Sequence, residues 1–152
     1  MAQLREYLTS DFEQLWELDQ SCFSPEIAYS REELAHYLRS PHAVCLLAVD
    51  AGRTVGFILG HNIRQARNLG HIVTLDVAPD ARRSGIGSTL IRNLEDRFRL
   101  AACESVLLEV AVNNHAALVF YKKHGYSVLK TLRRYYPGGL DGLLLGKEIH
   151  RQ

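Results

Sequence analysis

The chain predicts a mixed α/β fold, with a sheet that is antiparallel in its first part and crossed by helices later. Three features point to it. Two strand-like runs, Ala43–Val49 and Val55–Gly60, face each other across the turn Asp50-Ala51-Gly52. A third run, His71–Val77, is stopped by Pro79 and gives way to a helical period from Gly85. A fourth, Ser105–Val112, passes through Asn113-Asn114 into another helix.

Residues 3–8 read as a short opening strand. Ser10-Asp11-Phe12-Glu13 has the form of a capping box and is expected to start a helix with Phe12, Leu15, Trp16 and Cys22 on its apolar side. A loop with aromatic content, Phe23–Tyr29, leads to a second box, Ser30-Arg31-Glu32-Glu33. That box opens a helix carrying Leu34, Tyr37 and Leu38 on one side. In the helix after Gly85, Ile86, Leu90, Leu94 and Phe98 share a face, with Ile91 beside them. The helix after Asn114 is expected to run to His124 and end at Gly125, where a left-handed backbone needs no Cβ. Tyr126–Leu132 and Gly142–Lys147 read as two closing strands, giving seven strands and four helices.

The 152 residues fit one domain, 1–152, and an apolar content of 47% suffices for one core. A net charge of +1 gives no argument for a nucleic-acid or membrane-surface partner. The chain has no apolar run of the ~18 residues needed to span a bilayer and no signal-type N-terminus, so a cytoplasmic location is expected by default. Cys22, Cys45 and Cys103 lack metal spacing and read as buried or half-buried thiols. The histidines, His36, His42, His61, His71, His115, His124 and His150, also lack it and read as surface or strand residues. No metal is expected. His71 is the one histidine that also suits an alternative base.

The most specific signal is Val77-Ala78-Pro79-Asp80-Ala81-Arg82-Arg83-Ser84-Gly85-Ile86-Gly87-Ser88. A strand ends at a proline, a basic glycine-containing turn follows, and a helix begins. Free backbone N–H groups at the positive end of a helix dipole suit a phosphate or pyrophosphate, and glycine lets the backbone approach it closely. The Walker pattern is excluded because no Gly-Lys-Ser/Thr occurs. The dinucleotide pattern fails because Leu90 stands where its third glycine belongs. A plain helix start with two solvated arginines is the competing reading.

Arg82-Arg83-Ser84-Gly85-Ile86-Gly87 resembles the Q/R-x-x-G-x-G/A signature of the GCN5-related N-acetyltransferases (GNAT), and the resemblance extends over nearly the whole chain in element order. It implies the GNAT fold, a mostly antiparallel seven-stranded sheet flanked by four helices, with acetyl-CoA as cofactor. It also implies that the turn from Arg82 to Ser88 holds the pyrophosphate, while Leu75, Asp76 and Val77 lend backbone groups to the pantetheine arm and thioester. Leu108-Glu109-Val110, Asn113-Asn114-His115-Ala116-Ala117 and Phe120-Tyr121 resemble a stretch of the RimI/Ard1-like branch, which acetylates protein N-termini. By that match Glu109 is the general base, Tyr121 the general acid and a cofactor contact, and Asn114 a cofactor-binding asparagine. Gly125-Tyr126 matches the Gly-Phe that follows. Ala111 and Asn113 depart from the Arg and Ser usual in the branch.

The chemistry gives these residue types independent sense. Attack on a thioester needs a neutral amine and a protonated leaving sulfur. An α-amino group, with a pKa of about 7.7–8.0, is roughly a tenth or more neutral at pH 7, whereas a lysine amine at about 10.4 is neutral in about one molecule in a few thousand. A carboxylate base therefore suffices more easily for an N-terminal substrate. Plainer roles stay open: Glu109 as a paired strand-end carboxylate, Tyr121 as a half-buried helix residue, Asn114 as a helix cap alone.

Arg133-Arg134-Tyr135-Tyr136 with Asp141 resembles a hairpin of the same branch that overhangs the acceptor groove opposite the loop Phe23–Tyr29. Phe23, Tyr29, Tyr135 and Tyr136 are the candidate acceptor contacts, against a simple tyrosine-rich edge. The expected activity is acetyl transfer to the α-amino group of a protein or peptide, by a monomer or homodimer. A small-molecule amine acetyltransferase, a non-catalytic acyl-CoA sensor and a nucleotide-binding module are the alternatives.

Overall fold

The computed structural model describes residues 1–63 and 68–149. Its elements are β1 (Gln3–Glu6), α1 (Phe12–Cys22), α2 (Arg31–Arg39), β2 (Ala43–Asp50), β3 (Arg53–Ile63), β4 (Leu69–Val77), α3 (Ile86–Leu100), β5 (Ser105–Ala111), α4 (His115–Lys123), β6 (Ser127–Leu132) and β7 (Gly142–Glu148). Single 3-10 turns at Thr9–Asp11 and Pro79–Ala81 precede α1 and α3. The seven strands form one sheet in the order β1-β2-β3-β4-β5-β7-β6. Only β4 and β5 are parallel; α3, packed on one face of the sheet, makes the crossover between them.

Both faces of the sheet are covered, which explains why β2 and β3 read as continuous apolar runs rather than alternating ones. On one face, Leu90, Ile91, Leu94 and Phe98 of α3 pack against Leu46, Ile58, Ile72, Val106 and Leu108. On the other, Leu15 of α1 and Leu34 of α2 pack against Leu47, Phe57, Leu59 and Val73. Helix α3 comes unusually close: a Cβ added at Gly60 or Gly70 would lie 2.8 or 2.6 Å from the Phe98 ring. Behind this face Glu95, only 3% exposed, accepts from Lys147 Nζ at 3.0 and 3.1 Å and from the Tyr126 hydroxyl at 2.8 Å. The buried charge is thereby paired and hydrogen-bonded.

The second expected capping box forms: Ser30 accepts from Glu33 N–H, and the Glu33 carboxylate accepts from Ser30 N–H. The first does not. Ser10 lies inside the 3-10 turn, and α1 starts at Phe12. Asp11 instead accepts from Leu8 N–H at 2.8 Å and from both terminal nitrogens of Arg5 at 2.8 and 2.9 Å. The Arg5 guanidinium holds its carboxyl below the ordinary range, and a charged partner outcompetes a neutral helix cap. Cys45 and Cys103 are buried and Cys22 is half-buried. His150 lies outside the described residues. Among those described, no helix is long and apolar enough to cross a membrane.

Candidate active site

The sheet opens in its middle. β4 and β5 pair only over Leu69–His71 with Ser105–Leu107, so Ile72–Val77 and Leu108–Ala111 diverge. A bulge contributes: Leu59 pairs with Thr74 and Gly60 with Ile72, which leaves Val73 as the extra residue of β4. Beyond His71 the edge of β4 that faces β5 therefore has no strand partner among the described residues.

At the end of that edge the chain turns into α3. Arg83 and Gly85 adopt left-handed φ values of 65° and 84°, and Gly85 is the N-cap. The first helical bond runs from Thr89 N–H to the Gly85 carbonyl, so the amides of Ile86, Gly87 and Ser88 precede any helical acceptor. A Cβ on Gly87 would come 3.2 Å from Phe120 and 3.8 Å from Val77. Arg82 Nε donates to the Val77 carbonyl at 3.1 Å, which folds the basic side chain back over the strand end. The Ser88 hydroxyl and His124 Nε2 share a hydrogen bond of 2.9 Å. These residues form a turn whose first three helical amides lack a helical acceptor.

Asp76 faces away from this turn, towards α1. It is 1% exposed and sits with buried Asp19 and Thr74, whose hydroxyl donates to Asp76 Oδ1 at 2.5 Å. Burial and the adjacent Asp19 push the Asp76 carboxyl well above its ordinary range. Asp76 Oδ2 has no donor, and a proton kept on Asp76 satisfies it and Asp19 together. Asp19 Oδ2 accepts from Tyr29 N–H at 2.8 Å, and the Tyr29 hydroxyl donates to the bulged Val73 carbonyl at 3.1 Å. Tyr29 thus bolts the α1–α2 loop to β4.

Glu109 lies on the α1–α2 face, because Val106, Leu108 and Val110 take the other side of β5. Its Oε1 lies 2.8 Å from His71 Nε2, and His71 Nδ1 lies 2.9 Å from His61 Nε2. Tyr37 meets His61 edge-on at 5.6 Å, and Tyr29 meets Tyr37 at 5.8 Å. Tyr135 and Tyr136 stack edge-to-face at 4.9 Å on the β6–β7 loop. Burial raises the Tyr29, Tyr37, Tyr135 and Tyr136 hydroxyls, with Glu109 close enough to add to each.

Tyr121 is 7% exposed, held between Phe120 and Tyr126 at 5.2 and 5.7 Å. Burial, with Asp76 and Tyr136 adding to it, raises its hydroxyl and so keeps the proton on oxygen. Tyr136 lies within electrostatic reach of both Tyr121 and Glu109. Asn114 Oδ1 caps α4 through Ala117 N–H at 3.1 Å, which leaves its amide N–H groups available. A cleft of about 590 Å³ opens between the loop residues Phe23, Glu26 and Ile27, the turn residues Asn113 and Asn114, and Pro137 and Leu140.

The structure therefore places Phe23 and Asn114 on this cleft, and Glu109 on the parting stretch of β5 with Tyr135 and Tyr136 within its electrostatic reach. Two features add to the sequence reading. Tyr121 is buried, unlike the half-buried helix residue of the plainer alternative, and His61 is a strand residue as read but is also a ring partner of His71. The signal for the second was the strand register, since His61 and His71 are directly paired across β3 and β4.

Residues 12–126 match the sequence model of the Acetyltransferase (GNAT) family. The chain belongs to that family. An uncharacterized N-acetyltransferase of Methanocaldococcus jannaschii is 33% identical over 146 residues, covering 95% of this chain and 90% of its own. An N-alpha-acetyltransferase of Sulfurisphaera tokodaii is 32% identical over 123 residues, 74% of each chain. The crystal structure of Ard1 from Thermoplasma volcanium superposes with a TM-score of 0.90 at 26% identity, over 99% of both chains. The GNAT assignment agrees with the fold: a seven-stranded sheet with four helices, split between β4 and β5.

Proposed function

We propose that this protein, working as one domain, transfers acetyl from acetyl-CoA to the α-amino group of a protein or peptide. The observation that carries the reading is the position of Glu109, on the stretch of β5 that has parted from β4, with one carboxylate oxygen held by His71. The names of its N-alpha-acetylating relative and of its Ard1 neighbour favour the same acceptor class.

The residues present fit acetyl-CoA. The free amides of Ile86, Gly87 and Ser88 suit a diphosphate, the bare Gly87 admits a close approach, and Arg82 and Arg83 add charge. The unpaired inner edge of β4 at Leu75, Asp76 and Val77 suits an amide-bearing arm, and Asn114 and Tyr121 close the opposite side. Bound there, acetyl-CoA supplies an activated acyl carbon and a thiolate leaving group.

Glu109 takes the proton from the attacking amine on the carboxylate oxygen that His71 leaves free. Tyr121, kept protonated by burial, gives its proton to the departing sulfur. Phe23, Tyr135 and Tyr136 line the acceptor path, while Tyr29 fixes the loop that carries it. The exposed Glu26 carboxylate on that path attracts a substrate ammonium group.

Incubation with acetyl-CoA and a panel of peptides, followed by mass spectrometry, tests the proposal. Acetyl groups on peptide α-amines support it. Modification confined to polyamines, amino sugars or free amino acids overturns the peptide acceptor. Stabilisation by ATP rather than by acetyl-CoA in a thermal-shift assay overturns the donor.

A further inference from the structure

We propose that His61 is a positioning residue for acetyl transfer: its Nε2–H donates to His71 Nδ1 and so fixes His71 as a donor to Glu109. The inference rests on the proposed role of Glu109 and adds a residue to it.

The three groups form an unbroken line. Antiparallel pairing sets His61 opposite His71, and the short parallel pairing sets His71 opposite Leu107, two residues before Glu109. Hydrogen bonds of 2.9 and 2.8 Å join the two rings and the carboxylate. An ionised carboxylate only accepts, so His71 Nε2 must carry a hydrogen. In neutral His71 the other nitrogen, Nδ1, is then an acceptor, and among the described residues the donor offered to it is His61 Nε2. Each proton position follows from the one before it.

The groups facing His61 agree with a neutral donor. Tyr37 of α2 covers it edge-on; His42, before β2, and Glu109 lie within electrostatic reach. Burial, with His71 adding to it, lowers the His61 pKa below the ordinary range. At pH 7 the ring is uncharged and has one hydrogen to place. On Nε2 it meets a lone pair; on Nδ1 it would leave two lone pairs facing each other at 2.9 Å.

The consequence is chemical. With His71 held as a donor to Oε1, Glu109 keeps one oxygen for the amine and His71 is withheld from acting as the base. Without the His61 donor, Glu109 alone still favours the Nε2–H form of His71, and the Nδ1–H form, which turns a lone pair towards the carboxylate, gains population. That arrangement repels the carboxylate and moves it from the line of attack. A wrong imidazole tautomer disables general-base machinery even where its geometry is intact.

The test uses the full chain. Nitrogen–proton NMR correlations across the imidazole rings report which nitrogen carries hydrogen, without need of a variant. Both His61 and His71 are expected as Nε2–H forms at pH 7; an Nδ1–H form of His71 overturns the proposal. His61→Phe keeps the ring volume and removes the donor. The expected result is a mixture of His71 tautomers and a kcat lower by about tenfold, with KM for the peptide nearly unchanged. His61→Gln restores an amide donor and is expected to recover most of the loss. Unchanged tautomer and kcat in His61→Phe, or no recovery in a folded His61→Gln, overturns the role. If peptides prove not to be the acceptor, the same variants are measured with the amine that is acetylated, so the two failures stay distinct.

Discussion

Replacing Glu109 with glutamine removes a charge while changing the site's shape very little. The amide oxygen still accepts from His71 Nε2, now 2.8 Å from Oε1, and the side chain is 21% exposed. Stability should therefore change by about 1 kcal/mol or less, a shift of a few degrees in Tm. Catalysis should not be spared. General-base assistance is worth about 10²–10⁴-fold, and the amine of a peptide is already about a tenth neutral at pH 7. A kcat loss towards the lower end, about 10²-fold, is expected there. Raising the pH to 9 increases the neutral fraction of an α-amine about six- to tenfold. A variant that must draw on pre-ionised amine gains from this more than wild type does, so the deficit should narrow. Initial rates of thiol release across pH 6–9, with saturating acetyl-CoA and one peptide, measure both. A kcat within about threefold of wild type at every pH would refute the assignment of Glu109 as base.

Tyr121→Phe should lower kcat by about ten- to a hundredfold while leaving acetyl-CoA affinity within a few-fold, since the hydroxyl serves the departing sulfur; steady-state rates and calorimetric titration separate the two. Asp76→Asn keeps the shape of the buried carboxyl but cannot ionise. Because the folded state raises the Asp76 pKa, its contribution is intact below the ordinary carboxylate value near 4 and is lost as pH rises through the folded value. The Tm of the variant should accordingly gain on wild type with increasing pH, and parallel curves would speak against a retained proton. Lys147→Met leaves Glu95 buried without its cation and should cost about 3–5 kcal/mol in urea unfolding. Adding Glu95→Gln should recover much of that, because the pair is coupled.

Much of this molecule was legible in its residues. The order of elements and the glycine turn before α3 are local patterns, each written in a few consecutive positions. What was hidden depended on register. The distance from His61 to His71 along the chain carries no meaning until β3 and β4 pair, and the bulge at Val73 shifts which side chains reach α1. Gly60 and Gly70 read as ordinary strand positions, yet both exist to admit the Phe98 ring. The lost cap at Ser10 has the same origin: Arg5, on another element, captures Asp11 and moves the helix start. Tyr121 is buried because Tyr126 and Phe120 close on it, a tertiary outcome that no helical period announces.

An unpaired strand border on the outside of a protein is an invitation to other chains, which natural sheets blunt with charge, proline or twist. This fold carries a pair of such borders in its interior, where the third strand pair from the amino end gives way to the parting strands. Each blocks access to the other, so a second sheet cannot reach either. Two facing borders of this kind suit one extended segment lying between them better than a second sheet.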